Sequence, residues 1–101
     1  MKRAAESCEF LLAELKSFKE RHGDEYGLRS LGIFGSFARG EAGDESDVDI
    51  VFETNAPNLF RTARMRQELE QLLARHVDVV RLREDMNPRL KKRILQEARY
   101  V

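Results

Sequence analysis

The chain has 101 residues, 42% of them hydrophobic and 36% charged, with a formal net charge of zero. That composition predicts one packed domain over residues 1–101 and argues against disorder, and with no long apolar run it argues against a membrane span. Cys8 is the only cysteine, which excludes an intrachain disulfide and a cysteine zinc site and predicts a cytoplasmic protein.

Met1-Lys2-Arg3 leads into a charged helix rather than a signal peptide. Ala4, Cys8, Leu11, Leu15 and Phe18 recur as one stripe of that amphipathic helix, and Gly23-Asp24 with Gly27 predicts a turn at its end. Leu28 to Phe34 alternates around Leu31, Ile33 and Phe34 and is expected to be a buried strand that Gly35 stops. Ser36 to Arg39 suits one short helical turn, with Phe37 packed beneath it, and Glu41 to Glu45 an exposed loop.

A second strand begins around Asp47 and carries Val48, Ile50, Val51 and Phe52. Asn55 and Pro57 then open a helix to about Arg75, with Leu59, Ala63, Leu69, Leu72 and Leu73 facing inward. Val77 to Leu82 is a third strand. Asn87-Pro88 starts a last helix whose stripe is Leu90, Ile94 and Ala98. The expected fold is α/β (α+β) in the order α-β-turn-β-α-β-α, with a small mixed three-stranded sheet flanked by helices.

The chemistry concentrates in Gly35-Ser36 and, ten residues on, Asp47-Val48-Asp49. Aspartates at i and i+2 on a strand share a face, where they repel unless a cation lies between them. A hard divalent ion such as Mg²⁺, held by carboxylates and substrate phosphates, relieves that repulsion. A strand-ending glycine lets a phosphate approach the backbone, and the amides of the following turn with the Ser36 hydroxyl can bind it. No Gly-Lys-Ser/Thr follows, so this is not a Walker loop. Arg39 can add positive charge to a triphosphate, although a solvated arginine is the commoner fate.

Asp78 opens the third strand as Asp47 and Asp49 open the second. The helix between them makes a crossover, so these strands run parallel with their starts at one end, and the first strand runs antiparallel and finishes there. All four features then meet at one edge. His22 and His76 are expected in a turn and at a helix end, without a role as metal ligands or base. Arg61, Arg64 and Arg66, with Arg89, Lys91, Lys92 and Arg93, read as solvated helix faces.

Charge adds a modest hint: residues 1–52 carry 7 basic and 11 acidic side chains and residues 53–101 the reverse. That permits an anionic ligand or a charged protein partner, whereas nucleic-acid binding usually takes a far more basic domain.

The run Gly35-Ser36-Phe37-Ala38-Arg39-Gly40-Glu41-Ala42, then Ser46-Asp47-Val48-Asp49-Ile50-Val51-Phe52 and Val77-Asp78-Val79-Val80, resembles the minimal nucleotidyltransferases of the polymerase-β superfamily. The resemblance extends to the closing segment from Asn87 to Val101, taken as a helix. It implies that Asp47 and Asp49 bind two Mg²⁺ ions, that Asp78 completes the site and helps activate an acceptor hydroxyl, and that Gly35 and Ser36 hold the donor triphosphate, ATP in the first instance. Relatives of this size, the MntA-like antitoxins, are commonly encoded beside a HEPN-type ribonuclease toxin, and some attach AMP to a toxin tyrosine. The implied function is AMP transfer to a hydroxyl of such a partner protein. A chain this short leaves room for a catalytic core alone, so the acceptor is expected to bring its own binding surface. The competing expectations are an antitoxin that masks its partner without catalysis, and transfer to a small molecule such as an aminoglycoside.

Overall fold

The computed structural model describes residues 7–101, so Ala4 and the leading Met1-Lys2-Arg3 lie outside the described residues. Helix α1 (Cys8–Tyr26) is followed by β1 (Leu28–Phe34), β2 (Val48–Thr54), α2 (Leu59–Leu73), β3 (Val77–Arg81), α3 (Pro88–Glu97) and β4 (Arg99–Tyr100). The sheet order is β3-β2-β1-β4. As expected, β1 pairs antiparallel with β2, and β2 pairs parallel with β3.

Three helix starts are fixed by polar caps. Ser7 accepts from the Phe10 amide at 3.1 Å, Asn58 from Arg61 at 3.0 Å, and Asn87 from Arg89 and Leu90 at 2.9 and 3.1 Å. Pro88 occupies the first turn of α3, where its missing N–H costs nothing. Helix α1 runs through Gly23, where the sequence suggested a turn, and stops at Gly27, whose φ of 61° forms a left-handed cap. Helix α2 begins after Asn58, later than Asn55 and Pro57 suggested. Leu59 and Ala63 fall off the buried stripe and are exposed, and Met65 joins Leu69 and Leu73 in the core.

The main correction is at the C-terminal end. Ala98 is an extended cap rather than part of the α3 stripe, and Arg99–Tyr100 forms a fourth strand against Ile33 and Gly32 of β1. Gly32 makes this possible, since a Cβ there would lie 2.6 Å from the Arg99 carbonyl oxygen. Strand formation satisfies β1's outer edge, which a three-stranded sheet would leave open.

The two faces of the sheet are covered unequally. On one, α1 and α2 pack Leu11, Leu15, Phe18, Met65, Leu69 and Leu73 against Leu31, Ile33, Val48, Ile50 and Phe52. On the other, α3 supplies Ile94 against Phe34 and Val51, with Leu90 and Ala98 at the margin. Asp49 lies two residues from Val51 on that second, thinly covered face. Among the described residues no helix is long and apolar enough to cross a membrane.

Candidate active site

Parallel pairing brings the starts of β2 and β3 together, and antiparallel pairing brings the end of β1 beside them. Asp49 stands opposite Asp78 across one register pair and opposite Phe34 across the other. The Val48 amide donates to the His76 carbonyl at 3.0 Å, so the two strand entries are hydrogen-bonded. Arg75, at the end of the α2–β3 crossover, donates to the Asp44 and Ser46 carbonyls at 3.0 and 3.3 Å, stitching down the loop that leads to Asp47. Its guanidinium also lies 5.1 Å from the centre of the buried Phe37 ring, which packs under the turn as expected.

Asp47, His76 and Asp78 each offer a ligand atom, and these atoms lie within 4.8 Å of one another. All three side chains are exposed. Two carboxylates and an imidazole at this spacing fit a divalent cation whose remaining positions are filled by water or substrate oxygen. Asp49 is set deeper. Burial raises its pKa first and the charge of Asp78 second; Asp47 adds to the rise, while Arg93 and Arg39 oppose it. Uncompensated negative charge on this edge is what a bound cation would relieve, and the carboxylates, unlike the imidazole, are the oxygen donors that a hard ion such as Mg²⁺ takes.

Gly35 turns away from β1 with φ of 76°. A Cβ there would meet Asp49, 3.1 Å from Cγ and closer to Oδ2, so glycine is required by backbone and by space. Beyond it the chain makes the expected helical turn, with the Arg39 amide donating to the Gly35 carbonyl at 3.1 Å and the Glu41 amide to that of Ser36 at 2.9 Å.

Arg39 is exposed but not free. Its Nε donates to Glu41 at 2.9 Å, and its Nη1 to both Glu97 oxygens at 3.0 and 3.1 Å. Glu97 Oε2 also accepts from the Gly35 amide at 3.1 Å.

The structure thus brings Gly35, Ser36, Asp47, Asp49 and Asp78 to one edge of the sheet, with Arg39 held beside them by carboxylates. It gives both histidines acidic neighbours. His22 lies within α1, with Nδ1 3.1 Å from Glu25, and His76 lies at the entry to β3, with Nδ1 3.4 Å from Asp47 Oδ2 and Nε2 3.9 Å from Glu70. The signal for His76 was in the sequence: His76-Val77-Asp78 repeats the spacing of Asp47-Val48-Asp49, and parallel register sets the two runs side by side. Arg93 and Glu97 gave no such signal, because the placement of α3 decides what they face.

Residues 15–101 match the nucleotidyltransferase domain family model. The protein adenylyltransferase MntA of Thermococcus cleftensis is 37% identical over 92 residues, covering 90% of this chain and 88% of that protein. A solved candidate minimal nucleotidyltransferase shares 33% identity with a TM-score of 0.76, covering 93% of this chain and 95% of its own. The fold is also that of the MNT antitoxin complex with tri-AMPylated Shewanella oneidensis HEPN toxin, with a TM-score of 0.65 at 19% identity, over 92% of this chain and 70% of that one. Agreement of this extent with the strand-entry geometry makes the chain a member of the nucleotidyltransferase domain family, in its minimal, MntA-like form.

Proposed function

We propose that the chain, acting as one catalytic domain, transfers AMP from ATP to a hydroxyl of a partner protein, and that the partner is a HEPN-type toxin which this reaction inactivates. The observation that carries the reading is the convergence of Asp47, Asp49 and Asp78 with the Gly35-Ser36 turn at one sheet edge. Similarity to a protein adenylyltransferase, 37% identical over 90% of the chain, supports a protein acceptor, and the fold shared with an antitoxin bound to an AMPylated toxin supports the partner class.

Asp47, Asp49 and Asp78 would hold divalent cations, two Mg²⁺ ions on this reading, whose chemistry is to neutralise phosphate charge and stabilise the attacking and leaving oxygens. The chain's own residues do the remaining work. Gly35 and Ser36 present a backbone turn against which the triphosphate packs, and Arg39 supplies positive charge once it exchanges a carboxylate for phosphate. Asp78, exposed at the rim, receives the proton of the acceptor hydroxyl as that oxygen attacks the α-phosphorus and pyrophosphate departs. Positioning and electrostatics account for most of the acceleration in such transfers. The reaction is cytoplasmic on this reading, where a lone thiol such as Cys8 stays reduced.

The test is intact mass spectrometry of a HEPN partner co-expressed with the wild type or with an Asp47→Asn, Asp49→Asn variant. A gain of one or more adenylyl groups with the wild type alone is expected. No gain from a copurifying pair would replace transfer with neutralisation by binding, and equal gain with both proteins would overturn the assignment of the acids.

A further inference from the structure

Glu97 is the last residue of α3, where the partial negative charge of a helix C-terminus disfavours a carboxylate. Its position is explained by what it touches. Oε2 accepts from the Gly35 amide at 3.1 Å, both oxygens accept from Arg39 Nη1 at 3.0 and 3.1 Å, and Arg93 lies 3.9 Å from Oε2. A backbone amide at a glycine turn and two guanidinium groups are the donors with which proteins bind phosphate, and here they converge on an internal anion. The Glu97 side chain is 19% exposed, although Arg39 on its other side is open to solvent.

Resting on the nucleotidyltransferase reading above, we propose that Glu97 is a built-in competitor for the donor's phosphates. Its carboxylate occupies the Gly35 amide and Arg39 until a triphosphate displaces it, and so sets the affinity for the donor. The backbone permits only a local exchange. Ala98 is tied by its amide to the Ile94 carbonyl at 2.9 Å, and Arg99 and Tyr100 are paired to Ile33 and Gly32. The side chain alone has to swing. Arg39 keeps Glu41 at 2.9 Å through its Nε, so displacing Glu97 frees one edge of the guanidinium while the other stays anchored.

The experiment is calorimetric titration of ATP and of inorganic tripolyphosphate, each with Mg²⁺, into the wild type, Glu97→Gln, Arg39→Gln and the double variant. Glutamine keeps the size and can still accept from the Gly35 amide, but it lacks the charge that competes with phosphate. Glu97→Gln is expected to bind both ligands about tenfold more tightly, and most of that gain should vanish in the Arg39→Gln background. A brace that merely held the turn would give the opposite sign. Wild-type or weaker affinity in a folded Glu97→Gln protein therefore overturns the proposal, while leaving AMP transfer by the wild type intact. Absence of binding by every protein, with both ligands, would overturn this inference and the donor assignment together. Should Glu97→Gln not fold, Glu97→Asp decides, because its shorter carboxylate cannot span Gly35 and Arg39 and should bind both ligands more tightly than wild type.

Discussion

Glu25 and Glu68, where α1 meets α2, are each met by a cation. Arg64 lies 3.1 Å from Glu25 and 3.5 Å from Glu68, His22 lies 3.1 Å from Glu25 and 4.0 Å from Glu68, and the Tyr26 hydroxyl donates to Glu68. Around Asp47, Asp49 and Asp78 the balance differs: His76 approaches Asp47 at 3.4 Å, while burial and the charge of Asp78 raise the Asp49 pKa more than Arg93 and Arg39 lower it. Both clusters are acidic, and they differ in what the chain itself provides to neutralise them. A network that closes on its own cations serves the fold, whereas one left in deficit is prepared for something from outside. Tyr26 shows the price of closure in its own titration, raised by burial first and by the bond to Glu68 second.

The largest break in that comparison is expected from Asp78→Asn. Loss of the proton acceptor should lower AMP transfer by roughly 10²–10⁴-fold, measured as single-turnover labelling of the partner, with the melting temperature of the enzyme little changed. A loss of stability as large as that from a core truncation would instead make Asp78 a structural acid.

Gly35→Ala comes next. It forces an L-residue into φ of 76° and drives a methyl group at Asp49, so unfolding in urea should show a loss of roughly 2–4 kcal/mol, with donor binding lost as well. An alanine variant of wild-type stability would show that the turn relaxes freely.

Tyr26→Phe tests the other cluster. Removing one part-buried hydrogen bond should cost roughly 1 kcal/mol of stability and leave the transfer rate alone. A change in rate would mean that the two clusters are coupled.

The smallest effect has the opposite sign. Asp49 titrates above its ordinary value of 3.8, so across that window the folded protein retains a proton that the unfolded chain has released. Stability of the metal-free protein should therefore rise as pH falls through the window, with the full cost present above the raised pKa. Asp49→Asn removes the cost, and in a chelator at neutral pH its melting temperature should exceed wild type by about 2–5 °C. Added Mg²⁺ should close the gap by stabilising the wild type alone, and a variant less stable than wild type in chelator would show that the carboxylate is compensated after all.

Much of the molecule was legible in the order of its residues. The three longer strands, the capped start of α3 and the meeting of Gly35-Ser36 with three aspartates follow from period-two alternation, from capping chemistry and from the rule that a helical crossover makes neighbouring strands parallel. These are local or topological rules, and they hold wherever the elements end up in space. The start of α2 is ambiguous in sequence because Asn55, Pro57 and Asn58 all carry cap-like chemistry, and in the structure it is Asn58 that caps the Arg61 amide. Arg99 and Tyr100 looked like the tail of a helix, since two residues carry no periodicity; they became a strand because Gly32 leaves room for their backbone and β1 had an edge to satisfy. The partners of Arg39 and the surroundings of His76 likewise belonged to the tertiary structure. Charges distant in sequence meet only when the sheet forms, and a carboxylate 58 residues away reached Arg39 because the last strand brought the end of α3 back to the turn.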